Sequence, residues 1–243
     1  MNYFQVAVEA TRRAGRVIRS HFNSARMVRL KSQRDILLDV DVLAQKEIVD
    51  TIKAHFPDHD IMAEEGSEIN GSPYVWIIDP LDGTNNYANG LPCFCTSIAM
   101  QIDGEIVMGI VYDPLNKKFW SSHISCPVSE IGSLADAMIA IDWPAGTEAR
   151  KWTTAIAGDI VSRARTLRSL GSSALALCYV ASGWLDGFIH VDLDPWDAAA
   201  GALIVRNAGG KVTDFAGQPW TIESGHLVAS NGLLHDELLA IVR

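Results

Sequence analysis

Val75-Trp76-Ile77-Ile78-Asp79-Pro80-Leu81-Asp82-Gly83-Thr84-Asn85-Asn86-Tyr87 is the stretch on which the reading of this chain turns. Val75 to Ile78 are apolar and mostly β-favouring, which predicts a buried strand ending where Asp79 begins. Pro80 offers no backbone N–H and holds Asp79 extended, while Gly83 permits positive φ or the close approach of a ligand. A turn of this kind can bring Asp79 and Asp82 together with the Leu81 carbonyl turned inward. Two carboxylates and a carbonyl form a hard-oxygen cluster of the kind Mg²⁺ prefers. A polar surface turn would use Asp, Pro and Gly for purely local reasons, so these five residues alone leave both readings open.

Composition narrows the classes. With 243 residues, 48% of them hydrophobic, the chain can bury a substantial core, which excludes global disorder. A formal net charge of −9 argues against broad binding to nucleic acid or anionic membrane. An anionic small substrate remains compatible if bound metal reverses the local sign. No apolar run is long enough to span a bilayer, and Arg12, Arg13 and Arg16 interrupt the first segment, so neither an anchor nor a signal peptide is expected. Cys93, Cys95, Cys126 and Cys178 lack CxxC spacing and read as reduced thiols of a cytoplasmic protein.

Outward from the central stretch, Val6, Ala7, Ala10, Ala14, Val17, Ile18 and Phe22 recur at helical steps, predicting an amphipathic helix over 3–22 with Asn2 as its cap. After the polar run Lys31 to Asp35, a second helical pattern runs through Leu43, Ile48, Ile52 and Phe56, and Asp41 falls near its start. Asp41 reads as either a cap or a functional acid. Ile61-Met62-Ala63-Glu64-Glu65 is a second short apolar run ending in acids, and 66–73 reads as a mobile loop. Asp103-Gly104 predicts a hairpin between strands 96–102 and 105–112. A second half opens near Ala137 with a strand over 138–143 and a helix over 152–165. Gly171-Ser172-Ser173 leads into a further helix that Ser172 could cap. Pro195-Trp196-Asp197 sets Asp197 near the start of another, ended by Gly209-Gly210.

The central stretch closely resembles the signature of the inositol monophosphatase family, W-[IV]-[IV]-D-P-[IL]-D-G-T-x-N-[FY], which it matches throughout, and further family blocks stand in the right order before it, at 61–66, and after it, at 168–178 and 195–201. The resemblance implies one α+β domain over 1–243, a layered α/β/α/β/α sandwich of the inositol monophosphatase/fructose bisphosphatase type with halves of roughly 1–135 and 136–243. It implies a Mg²⁺-dependent phosphomonoesterase that hydrolyses inositol phosphate, or a related sugar or polyol monophosphate, with a metal-activated water. Fructose 1,6-bisphosphate, histidinol phosphate and a nucleotide 3′-phosphate are alternative substrates, and a non-catalytic regulatory role is the alternative of a different class.

By the same resemblance, two or three Mg²⁺ ions, replaceable by Mn²⁺, are held by Glu64, Asp79, the Leu81 carbonyl, Asp82 and Asp197. Asp41, hydrogen-bonded to Thr84, orients the attacking water, with Glu64 counted among the catalytic groups. Substrate contacts fall to Leu81, Asp82, Gly83, Thr84, Gly171, Ser172, Ser173, His190 and Asp197. The chain departs from the family pattern at Leu38, Gln45, Ala63 and above all His190, where inositol phosphatases commonly carry Glu; His190 reads as a substrate contact or as pocket wall. Lithium sensitivity, a homodimer and small-molecule partners, without nucleic acid or membrane, complete the expectation.

Overall fold

A computed structural model describes residues 2–22, 28–30, 36–124 and 126–243; the run from Lys31 to Asp35 lies outside the described residues. The first helix, α1 (Tyr3–His21), buries Val6, Ala7, Ala10, Ala14 and Ile18 along one face. Asn2 caps it: the Gln5 amide donates to Asn2 Oδ1 at 2.9 Å, and the Asn2 amide donates back to Gln5 Oε1 at 3.1 Å. A small antiparallel pair, β1 (Val28–Leu30) and β2 (Ile36–Leu38), leads into α2 (Asp39–Lys53).

A five-stranded sheet follows. It is built from β3 (Asp60–Ala63), β4 (Tyr74–Asp82), β5 (Cys95–Ile102), β6 (Glu105–Asp113) and β7 (Lys118–Ser121), in that spatial order, with the short α3 (Thr84–Ala88) after β4. Neighbours are antiparallel except β3 and β4, which run parallel. The expected hairpin is present, with Asp103 and Gly104 both at positive φ, 50° and 86°.

The second half contributes β8 (Met138–Ile141), α4 (Thr147–Arg163), β9 (Thr166–Arg168), α5 (Ser173–Ala181), β10 (Gly187–His190), α6 (Pro195–Asn207), β11 (Lys211–Thr213), β12 (Leu227–Ser230) and α7 (His235–Val242). Its five strands order as β11-β12-β10-β8-β9. Helices α1 and α2 cover the outer face of the first sheet, α5 and α6 lie between the sheets, and α4 and α7 cover the far face of the second. This is the expected five-layered α+β sandwich. Small residues let the central layer close up: a Cβ on Gly109 of β6 would lie 2.7 Å from the Ala200 carbonyl of α6.

Three local expectations are corrected. Strand β4 does not stop at Ile78 but runs on through Asp82, pairing Asp79 with Ser97 and Asp82 with Cys95 across a register shift. The bulge absorbs Pro80, which has no donor for the ladder, and Thr96 Oγ1 donates to the Pro80 carbonyl at 3.0 Å. The segment 66–73 is tethered: Asp60 Oδ2 accepts the amides of Asn70, Gly71 and Ser72, and Ile61 pairs with Glu68. Helix α4 begins at Thr147 rather than near Trp152, because Gly146 and Thr147 start it one turn earlier than its apolar positions announce.

Candidate active site

The edge where the two sheets meet through α5 and α6 carries the acids. Because β3 lies parallel to β4 with Ala63 opposite Ile78, Glu64 follows directly beside Asp79, and its amide donates to the Ile78 carbonyl at 3.3 Å. The bulge in β4 sets Asp79 and Asp82 on the same side. Asp79 Oδ1 accepts the Leu81 amide at 2.9 Å, which fixes the turn between them. Asp197 arrives from the first turn of α6, where its Oδ2 accepts the Asp194 amide at 3.2 Å in a capping box.

One carboxylate oxygen from each of Asp79, Asp82 and Asp197 lies within 4.8 Å of the others. Asp79 and Asp82 are buried, at 1% and 8% exposure. Burial, and then the charges of Glu64, Asp82 and Asp197, push Asp79 well above the usual carboxylate pKa. Burial, then Asp82 and Glu64, do the same to Asp197. Burial raises Asp82 to about 6, against hydrogen bonds from Ser172 and Ala174 that favour its ionised form. Packed carboxylates with raised affinity for positive charge, hard oxygens throughout, fit a divalent cation. Glu64 is outside the three-carboxylate group, yet its charge acts on two of its members.

Asp82 has a second job. The Ser172 hydroxyl donates to its Oδ2 at 2.5 Å, the Ala174 amide to the same oxygen at 2.8 Å, and the Ser173 amide to Oδ1 at 3.3 Å. The cap of α5 is therefore a carboxylate from the other half of the chain. Ser172 sits at the N-cap position without capping through its own side chain, because its hydroxyl is spent on Asp82. The Thr84 hydroxyl likewise goes to the Leu81 carbonyl at 2.9 Å rather than to Asp41. Asp41, buried in the first turn of α2, accepts the Leu38 amide at 2.7 Å.

In front of the acids opens a cleft of about 490 Å³. Asp82, Gly83, Thr84, Gly171, Ser173, His190 and Asp197 line it; Asp79, Leu81 and Ser172 are buried. Asp41 is not in the lining. A larger groove, about 650 Å³, runs along α1 past Phe4, Arg12, Arg16 and Glu47, away from the converging carboxylates.

Sequence reasoning missed Asp142, Trp143, Arg150 and Asn86. Asp142, just past β8, is 3% exposed and accepts Ser169 Oγ and the Leu170 and Gly171 amides on Oδ1, at 2.8 to 2.9 Å. Asn86 Nδ2 donates to the carbonyls of Cys93 and Leu170, both at 2.7 Å, joining the central stretch to the same turn. An Asp closing an apolar run was the available sign for Asp142, the sign already read at Asp79.

The fold is thus a five-layered α+β sandwich in which three carboxylates converge from β4 and α6. The sequence profile of the inositol monophosphatase family matches residues 2–243. The chain is 37% identical over 252 residues to a fructose-1,6-bisphosphatase/inositol-1-monophosphatase of Thermotoga maritima, covering 100% of this chain and 96% of that protein. It is 36% identical over 248 residues to the Nus factor SuhB of Pasteurella multocida, covering 96% and 93%. Among solved structures, the Thermotoga maritima inositol monophosphatase superposes with a TM-score of 0.92 at 35% identity, covering 100% of this chain and 97% of that one. The chain belongs to the inositol monophosphatase family.

Proposed function

We propose that this protein is a Mg²⁺-dependent phosphomonoesterase acting on a sugar or polyol monophosphate, inositol phosphate among them. The convergence of Asp79, Asp82 and Asp197 within 4.8 Å carries the reading. These three, with Glu64 and the Leu81 carbonyl, would hold the cations. When bound, divalent cations supply the Lewis-acid charge that activates water and stabilises the leaving oxygen.

The chain's own residues do the rest. The amides of Gly83 and Thr84 hold phosphate oxygens at the cleft floor. Thr84, whose hydroxyl oxygen keeps acceptor capacity while its proton goes to Leu81, orients the incoming water for in-line attack. Asp41 supports the start of α2 behind this turn. Water forms the new bond to phosphorus, the ester P–O bond breaks, and the alcohol leaves with a proton. Gly171, Ser172, Ser173 and His190 shape the side that receives the alcohol. Lithium inhibition and a homodimer belong to the same reading.

Asp82→Asn or Asp197→Asn, in protein with wild-type circular dichroism, is expected to lower Mg²⁺-dependent phosphate release across a panel of sugar phosphates at least about 100-fold, since even outer-shell losses cost 10- to 100-fold. Near-wild-type release would defeat the assignment. Relatives that carry the name Nus factor favour a second reading, a regulatory role on a retained scaffold. A stable stoichiometric protein complex without turnover by the wild type would support that one instead.

A further inference from the structure

Glu64 is the one expected cation ligand that comes from neither β4 nor α6. It stands half-buried in the turn after β3, and its charge reaches Asp79 and Asp197. The direction of its side chain is set by the two peptide planes that flank its Cα, because φ and ψ are the only soft backbone torsions there. The plane before it carries the Glu64 amide, which donates to the Ile78 carbonyl of β4 at 3.3 Å. The plane after it carries the Glu65 amide, which donates to Gln45 Oε1 of α2 at 3.0 Å. One plane is thus pinned by the sheet and the other by a side chain from the helix in front.

Gln45 closes a second bond with the same group: its Nε2 donates to the Gly66 carbonyl at 3.2 Å. Gly66 sits at φ 124°, a conformation side chains rarely adopt, and its amide turns back to the Ala63 carbonyl at 3.3 Å. The tight turn therefore shows α2 an N–H and a C=O together, and a carboxamide answers both with one planar group. The two bonds are unequal. The one from Glu65 is partly buried, whereas the one to Gly66 is exposed and water can take its place. At its far end α2 grips the same segment through Lys53, whose Nζ lies 2.9 Å from both Glu68 Oε2 and the His59 carbonyl. The base of the turn is therefore held without Gln45.

We propose that Gln45 is a positioning residue: its side-chain oxygen fixes the peptide plane that follows Glu64, and so keeps the Glu64 carboxylate aimed at the cation site before an ion arrives. This rests on the reading of Glu64 as a cation ligand and adds the group that orients it. Without that bond ψ of Glu64 is released, and the ion must order the turn as it binds, at a cost in affinity. Loss of a group that orients a ligand costs about 10- to 100-fold in metal affinity or activity.

The test compares wild type, Gln45→Met, Gln45→Glu, Glu64→Gln and the double variant Gln45→Met/Glu64→Gln. Two quantities are read: the Mg²⁺ concentration for half-maximal phosphate release from inositol 1-phosphate, and the Mg²⁺-induced rise in Tm without substrate. Gln45→Met, similar in size but lacking the acceptor, is expected to raise the half-activating Mg²⁺ about tenfold and to shrink the Tm rise, with KM for the ester within about twofold. Gln45→Glu keeps an oxygen for the Glu65 amide and is expected to stay within about threefold of wild type. In Glu64→Gln protein, adding Gln45→Met is expected to move neither reading further, since the second change acts through the first. Wild-type Mg²⁺ readings in Gln45→Met, or a loss that adds in full to that of Glu64→Gln, overturn the positioning role. If Mg²⁺ stabilises wild type more than Gln45→Met but no ester is hydrolysed, the phosphatase reading falls and the positioning role stands. No effect of Mg²⁺ on either the Tm or the phosphate release of wild type overturns both.

Discussion

Asn86 shows how much a single side chain can join. Its Nδ2 reaches the carbonyls of Cys93 in the first half and Leu170 in the second, 84 residues away in sequence. Asn86→Ala leaves these carbonyls without their donor, and a lost bond of this kind costs about 1–3 kcal/mol. The expected outcome is a lower urea midpoint with an unchanged m-value. Because the same turn carries Ser172, a fall in Mg²⁺-dependent activity should accompany it. A stability equal to wild type would show that the bridge does not hold the halves in register. The bridge was illegible in the sequence: Asn86 stands in the same dense pattern as Asp79 and Asp82, but nothing beside it announces that its partner lies at Leu170 in the other half.

Elements were legible where local chemistry decides them. The Asn2 capping box and apolar stripe of α1, and the Asp103-Gly104 turn, need only neighbouring residues. The passage of β4 through Asp79 to Asp82 was hidden because Pro80 and Gly83 read as a stop, and the pairing that overrides them comes from β5. The start of α7 is another tertiary choice. His235, fully buried, lies 2.9 Å from both Thr213 Oγ1 of β11 and Ser230 Oγ of β12. Burial first, and Lys211 second, lower its pKa from 6.5 to about 4. The folded state therefore binds this proton less readily than the unfolded chain. Its contribution is present above pH 6.5 and lost as pH falls toward 4, about 3 kcal/mol at one pKa unit per 1.36 kcal/mol. Chemical denaturation of wild type and His235→Gln at pH 7 and pH 4.5 should show the variant losing less stability on acidification. Parallel losses would exclude the histidine as the source.

For the whole molecule, the carboxylates that would hold a cation come from both halves: Glu64, Asp79 and Asp82 beside the first sheet, and Asp197 from α6 in the central layer. The sign of their effect on stability is opposite to that of the histidine. Asp82 is raised to about 6, and Asp79 and Asp197 are raised as well, so the folded metal-free protein takes up these protons more readily than the unfolded chain. The stability these groups contribute is fully present below the ordinary carboxylate pKa and is lost as pH rises, for Asp82 through about 6. A cation that binds only the folded state offsets this, by about 2.7 kcal/mol at one hundred times its Kd. Thermal unfolding with and without Mg²⁺ should therefore show a larger Mg²⁺-induced rise in Tm at pH 8 than at pH 5. An equal rise at both would place the ion elsewhere. The family motif announced this junction, but the layer order that creates it depends on which sheet faces α5 and α6, and periodicity carries no record of that choice.

The carboxylate of Asp82 also caps the start of a helix that begins 91 residues further along the chain. Discarding that acid would therefore undo the seam on which the second half is hung, whatever becomes of the chemistry in front of it.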